Sequence, residues 1–305
     1  MTRTMVVGSR GSRLALAQAN EVINRLREAA PGLTCQVLTI KTKGDKLHES
    51  GEDTSEGKGI YTKEIEDSLL TGEFQIAVHS MKDLTTDLPA GLTIAAVPAR
   101  ADHRDALISR GKRKFEELPG GGRIGTSSPR RRTQLLSARS DLQVVDMHGN
   151  VDTRLRKLDG GGYDAIVVAA AGLERLGLQS HVTEFLSTKV MLPAIGQGAL
   201  AIEAREDDIE TLQLVSRIDD KSTRQAIEAE RAFARKLGAN CRTPIAAYAR
   251  THDGRFAIDG MVASADGRMV LRSQLVSESG EPWRVGDELA ESLLRKGAQL
   301  VLEAA

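Results

Sequence analysis

Through the first two thirds of the chain, short apolar runs alternate with amphipathic helical patterns, and few folds can satisfy that alternation. Met5–Gly8, Cys35–Ile40, Gln75–His79 and Leu92–Val97 read as strands. Between the first two, Leu16, Ala19, Ile23, Leu26 and Ala30 recur at three- and four-residue spacing. That spacing puts one apolar stripe on a helix starting near Ser12, and Pro31-Gly32 ends it. A second helix runs from Tyr61 to Leu70. Strands separated by covering helices predict an α/β class with a mostly parallel sheet. The pattern restarts after residue 100, with strands at Arg123–Gly125, Leu142–Met147 and Ala165–Ala169 and helices at Pro129–Ala138 and Val151–Leu158. Phe74–Leu84 lines up in pattern with Tyr163–Leu173. Two readings are open: the same strand in two related units, or two buried strands alike by chance.

The last third changes character. A helix from Lys221 to Leu237 stops at Gly238, a suitable cap. Thr243–Arg250, Arg255–Ala263 and Met269–Val276 then read as antiparallel strands joined at Asp253-Gly254 and Asp266-Gly267. A final helix over Trp283–Leu302 completes a small α+β domain. The 305 residues suffice for two or three domains.

Composition removes several functions. Aromatics make up 3%, too few for a protein that reads nucleic acid by stacking. Lys+Arg and Asp+Glu both number 42, so no global field attracts polyanions, and anion recognition must come from local clusters. No stretch approaches the roughly 18 apolar residues of a membrane helix. The start, Met-Thr-Arg-Thr-Met-Val-Val-Gly, reads as a strand entering a turn, not as a signal peptide. The two cysteines are far apart and fit no metal pattern. A cytoplasmic location with reduced thiols is expected. Cys35 is expected in the core.

Several strand-to-helix turns share one design. Gly8-Ser-Arg-Gly-Ser-Arg13 follows the first strand, and Gly125-Thr-Ser-Ser-Pro-Arg-Arg-Arg132 follows a strand of the second unit. Ser128 suits an N-cap and Pro129 the first helical position. Free backbone N–H groups and the positive helix end make such a turn an anion site, and arginines can fork onto carboxylates. Arg130-Arg131-Arg132 reads either as ligand contacts or as a solvated helix face, with at least one of the three pointing to solvent. His79-Ser80-Met81-Lys82-Asp83 gathers an imidazole, a hydroxyl, an ammonium and a carboxylate at one strand end. Each alone has an ordinary reading, a bonded structural histidine and a surface pair. His148-Gly149-Asn150-Val151-Asp152-Thr153-Arg154 closes another strand. Leu192–Gly198 is a glycine-flanked turn before a returning strand, Ala199–Glu203. Cys241 lies on a loop beside Arg242, which favours thiolate; an inert buried thiol is the other reading. Thr42–Gly59 is polar and patternless, an active-site lid or a floppy insertion.

These strings, in this order, resemble the hydroxymethylbilane synthase (porphobilinogen deaminase) family nearly end to end. Gly8–Ala17, His79–Asp83, Gly125–Arg132, Gly149–Arg154, Pro193–Ala199 and Asn240–Ile245 carry the likeness. The resemblance implies two periplasmic-binding-protein-like α/β domains with a hinge, plus a small α+β C-terminal domain. By that analogy the first domain spans 1–98 and 197–217, the second 99–196, and the third 218–305. The implied reaction joins four porphobilinogens head to tail with loss of ammonia, then hydrolyses the linear tetrapyrrole. A dipyrromethane cofactor is implied on Cys241 through a thioether. The resemblance also implies that Asp83 is the catalytic carboxylate. It assigns Lys82, Ser80, Thr126, Ser127, Ser128, Arg130, Arg131, His148, Gly149 and Arg154 to the cofactor. It assigns Arg10, Ser12, Arg13, Arg175, Gln197, Tyr61 and Lys58 to substrate. Each pyrrole carries an acetate and a propionate, so a cleft rich in arginine suits the ligand. The expected partners are porphobilinogen and the growing oligopyrrole, with no nucleic acid, membrane or metal, acting on a monomer.

Two positions depart from the family pattern. Tyr61 stands in the string Lys58-Gly59-Ile60-Tyr61 where Phe is frequent. His148 stands where Arg usually precedes Gly-Asn, which makes an anion contact there conditional on protonation. Two other classes share parts of the pattern. A solute-binding protein needs no cysteine on a third domain, and a ligand-sensing domain of a transcription factor needs a DNA-binding segment.

Overall fold

The computed structural model describes residues 4–50, 59–239, 243–252, 254–278 and 280–303. The chain opens with β1 (Thr4–Arg10), α1 (Arg13–Ala29), β2 (Thr34–Ile40), α2 (Lys43–Ser50), α3 (Lys63–Leu70), β3 (Ile76–Ser80) and β4 (Leu92–Ala96). It continues with β5 (Asp105–Ser109), β6 (Arg123–Gly125), α4 (Pro129–Ala138), β7 (Gln143–Val145), α5 (Val151–Asp159), β8 (Ala165–Ala169), α6 (Ala170–Arg175) and β9 (Glu184–Leu186). Then come β10 (Leu200–Arg205), α7 (Ile209–Val215), α8 (Lys221–Lys236), β11 (Ile245–His252), β12 (Arg255–Ala263), β13 (Val270–Ser277), α9 (Pro282–Arg295) and α10 (Ala298–Glu303). Two compact units result, Met1–Ala101 with Ala199–Arg224, and Asp102–Gly198 with Gln225–Ala305.

The first unit holds a sheet of order β2-β1-β3-β10-β4, and the second a sheet of order β7-β6-β8-β5-β9. Their plans coincide. β1 pairs parallel with β2 and β3, as β6 does with β7 and β8. β10 inserts antiparallel between β3 and β4, as β5 does between β8 and β9. The echo between Phe74–Leu84 and Tyr163–Leu173 is therefore structural, because it aligns β3 with β8 at the same place in two like sheets. Two α/β sheets of like plan, followed by a small C-terminal α+β element, agree with the α/β class read from the sequence and with what the family resemblance implies.

In the first unit, Met5, Val7, Ile76 and Val78 meet Ala19, Val22, Ile23 and Leu26 of α1. On the opposite side, Ala77 and Leu92 pack with Phe74 and with Ile65 and Leu69 of α3. β3 is buried on both faces, as a central strand must be, while edge strand β2 is mostly exposed. In the second unit, β11-β12-β13 form an antiparallel sheet whose Ile245, Ala247, Ile258 and Val262 pack against α8 and α9.

Several expectations need correction. β5 and β9 were not legible as strands; β5 opens on a charged residue, and β9 is three residues long. The segment from Thr42 is not patternless at its start, where α2 forms; residues 51–58 lie outside the described residues. The final helix is two, α9 and α10, with Gly297 at φ 92° between them. Cys35 is half-buried at the margin of the core, because its strand is an edge. The Leu142–Met147 run pairs only over Gln143–Val145.

Candidate functional site: strand-end turns of two units

In the first unit the turn after β1 feeds α1. Ser12 caps the helix, its Oγ accepting from the Ala15 N–H at 3.2 Å. Arg13 begins the helix and is exposed. Arg10 ends β1, and its Nη2 and Nε donate to Asp45 Oδ1 at 2.5 and 3.1 Å. The Tyr61 ring covers the guanidinium at 4.1 Å. Thr42 Oγ1 donates to the same carboxylate at 2.7 Å. Burial raises the Asp45 pKa, but the bonds from Arg10 and Thr42 outweigh it and hold the group below its ordinary value. Lys58 lies outside the described residues.

The end of β3 divides its cluster by burial. His79 points inward, with Nε2 at 2.9 Å from Glu203 Oε2 on β10 and both side chains buried. Its structural reading holds. Ser80 Oγ accepts from Gln18 Nε2 at 2.8 Å. A single helical turn follows, Met81–Asp83. Met81 and Leu84 are buried at its two ends, and the Met81 N–H donates to Ala199 O at 3.0 Å. With those two anchored, Lys82 and Asp83 are exposed. The sequence reading missed Gln18, Asp45 and Glu203; a single buried polar residue on an apolar helix face is the only signal Gln18 gives.

In the second unit the turn after β6 feeds α4. Thr126 Oγ1 accepts from the Ser128 N–H at 3.2 Å, and Ser128 caps α4 with Pro129 in the first turn. Ser127 Oγ accepts from the Met147 N–H at 3.1 Å, tying this turn to the one after β7. There Gly149 adopts φ 124°, and Asn150 caps α5 by accepting from the Thr153 N–H. Arg154 Nε donates to Gly149 O at 2.8 Å. His148 is exposed, and its carbonyl accepts from Lys157 Nζ.

Arg130 and Arg131 do not lie on a solvated face. Both are buried on Asp105, with Arg130 Nη1 at 2.9 Å and Arg131 Nη2 at 2.7 Å. Arg132 takes the outward position, paired with Asp146 at 2.7 Å. Burial raises the Asp105 pKa, yet the two guanidiniums prevail and lower it to about 2. Arg130 Nη1 also donates to Leu192 O at 2.7 Å, and its Nη2 to Gln197 Oε1 at 3.4 Å. Gln197 Nε2 donates to His103 O, and Arg175 Nη2 to Gly198 O at 3.2 Å. Two guanidiniums on one carboxylate leave an excess of positive charge beside a capped helix N-terminus. Those features accept a carboxylate-bearing group, so the donor set fits an anionic cofactor. Cys241 lies outside the described residues. The residues before it, through Ala239, pack on the core of the C-terminal sheet. Among the described residues, no group of His, Cys, Asp and Glu is placed to hold a metal, and no helix is long and apolar enough to cross a membrane.

Residues 5–213 match a family model described as porphobilinogen deaminase, dipyromethane cofactor binding domain, and residues 224–295 one described as porphobilinogen deaminase, C-terminal domain. The chain is 49% identical to the porphobilinogen deaminase of Desulforudis audaxviator, over 99% of this chain and 98% of that one. It is 44% identical to that of Pelotomaculum thermopropionicum, over 100% and 98% of the two chains. With that of Brevibacillus brevis the identity is 45%, over 97% and 96%. Matched along its whole length at this level, the chain belongs to the porphobilinogen deaminase family.

Proposed function

We propose that Asp83 is the catalytic group of this transferase and that the capped turns of the second unit hold its cofactor. The family reaction is the hydroxymethylbilane synthase step of tetrapyrrole biosynthesis, in which four porphobilinogens are condensed with release of ammonia and the product is hydrolysed to 1-hydroxymethylbilane. The dipyrromethane cofactor, when bound, supplies the pyrrole carbon from which the chain grows.

One observation carries the assignment. Met81 and Leu84 are buried on either side of Asp83, which stays exposed at the strand end while His79 is used inside. The aminomethyl group of porphobilinogen is an ammonium near neutral pH, so ammonia leaves with little acid help. Positive charge then spreads through the ring to the pyrrole N–H. A fixed carboxylate stabilises that charge and later takes the proton from the carbon that was attacked. Arg10, Ser12, Arg13 and Tyr61 serve the acetate and propionate groups of substrate, with Lys58, Arg175 and Gln197 in the same role, while Ser80 and Lys82 serve the cofactor. Thr126, Ser127, Ser128, His148, Gly149 and Arg154 hold cofactor carboxylates, and Arg130 and Arg131 add their shared positive charge. Cys241 carries the thioether. The three-domain division at 1–98 with 197–217, 99–196 and 218–305 belongs to the same proposal, as does a monomer in the cytoplasm.

The test is Asp83→Asn. The variant is expected to keep its covalent cofactor and turn over at least about a hundredfold slower, the lower range for a positioned acid–base or electrostatic group. Near-normal turnover by a folded variant removes Asp83 from the mechanism.

A further inference from the structure

Behind the Asp83 turn lies a buried group of acids that the reaction as described does not use. Glu203 on β10 is 0% exposed and Glu66 on α3 is 7% exposed. Glu203 Oε2 meets His79 Nε2 at 2.9 Å. Glu203 Oε1 and Glu66 Oε1 are both sealed from solvent and have no hydrogen-bond partner. The Thr62 hydroxyl lies beside Glu66 and favours its ionised form, but burial and the charge of Glu203 outweigh it; Glu64 Oε2 lacks a partner in hydrogen-bonding geometry. The other oxygen of Glu64 accepts from the Lys43 N–H at 2.9 Å. The charged groups acting on Glu66 are Glu203 from β10, His79 from β3, and Asp67 of its own helix. The only base among them is one imidazole.

Two ionised carboxylates on one imidazole leave uncompensated charge in the interior, which is costly. They also leave Glu66 Oε1 and Glu203 Oε1 buried with no partner in hydrogen-bonding geometry. A single proton neutralises one acid and turns one of those oxygens into an O–H donor.

We propose that Glu66 is held as a neutral carboxylic acid beside the Glu203 carboxylate, and that this Glu66–Glu203–His79 cluster fixes the end of β3 and so positions Asp83. Glu66 is the acid singled out because burial, and then the charge of Glu203, push its pKa above the ordinary value. The mechanical link is short. His79 precedes Ser80, which is held by Gln18, and Met81, which is held by Ala199 O. Asp83 closes the same turn. Glu66 is a positioning residue in this scheme, since it acts through its neighbours.

The positioning half rests on the catalytic reading of Asp83; the protonation half does not. A raised folded-state pKa gives stability that is complete below the unfolded value and is lost as pH rises through the folded one. Glu66→Gln replaces the acid by an amide that donates at every pH. Thermal unfolding of both proteins, from acid to mildly alkaline pH, should show the difference in Tm moving toward the variant as pH climbs above the ordinary glutamate range of about 4.3. A difference that stays flat, or moves toward wild type, overturns the proposal. For positioning, Glu66→Ala should lower kcat by about ten- to a hundredfold, the range for a misplaced reacting group, with KM unchanged, and Glu66→Gln should restore most of it. A wild-type kcat in Glu66→Ala, or a Glu66→Gln as slow as the alanine variant, overturns it. Should Glu66→Ala not fold, the pH profile of kcat decides: the alkaline fall must be weaker in Glu66→Gln than in wild type. Asp83→Asn is the control, because it should lose turnover yet keep the wild-type dependence of stability on pH. Failure of the Asp83 reading and failure of this one are thereby separate results.

Discussion

Asp105 shows what a single buried charge does in this protein. It is fully buried, and two guanidiniums from the first turn of α4 close on it. Desolvating an ion is repaid only when its partners are close and its remaining oxygens are bonded. Asp105→Asn leaves two buried cations with a weaker acceptor, so unfolding free energy should fall by about 3–5 kcal/mol, the range for breaking a buried pair. Denaturant titration measures it. The pH dependence has a definite sign. A depressed folded-state pKa gives stability that is present above the unfolded value and lost as pH falls through the folded one. Wild type should therefore lose its advantage over Asp105→Asn on acidification from about pH 4 toward pH 2. A gap that is unchanged in acid would mean that Asp105 is not ionised in the fold. The arginine run itself was legible, and so was the need for one member to face solvent. Asp105 as its partner was not, because nothing near Arg104-Asp105 marks that carboxylate for residues further along the chain.

At the level of elements, local chemistry predicts the starts of helices well. Ser12, Ser128 and Asn150 cap α1, α4 and α5 through their side-chain oxygens, and Ser128 is marked in the sequence by Pro129. The turn before α5 depends on Gly149. Its φ of 124° is open to glycine, and a Cβ there would stand 2.8 Å from Thr153 Cγ2. Gly149→Ala should cost about 1–3 kcal/mol in backbone strain. It should also disturb the Gly149 carbonyl that Arg154 holds, so purified variant should carry less covalent cofactor by mass. Full occupancy with unchanged stability would show that the turn tolerates the substitution. Elements with weak local signals were missed. α2 is polar and includes a glycine, and Gly44 lies under the Tyr61 ring. β5 is held in place by β8 and β9, on either side of it, and not by its own alternation.

Across the whole molecule, the proposed function calls for one modified thiol out of two. Purified protein should be heavier than its sequence by one dipyrromethane, with the adduct on Cys241 by peptide mapping. Cys35 should be unmodified: burial pushes its thiol pKa up against the pull of Arg27, and a protonated thiol is a poor nucleophile. Fully active protein with an unmodified Cys241 would overturn the assignment. The sequence by itself determined the α/β class, the C-terminal sheet and the family. Those rest on period, caps and motif strings, which depend on residues close together in the chain. Tertiary structure alone decided which polar groups meet. His79 and Glu203 are 124 residues apart, and Arg130 and Asp105 are 25 apart. Those meetings follow from β10 and β5 inserting antiparallel beside β3 and β8. No local period encodes such an insertion, since a buried strand reads the same whichever neighbour it pairs with.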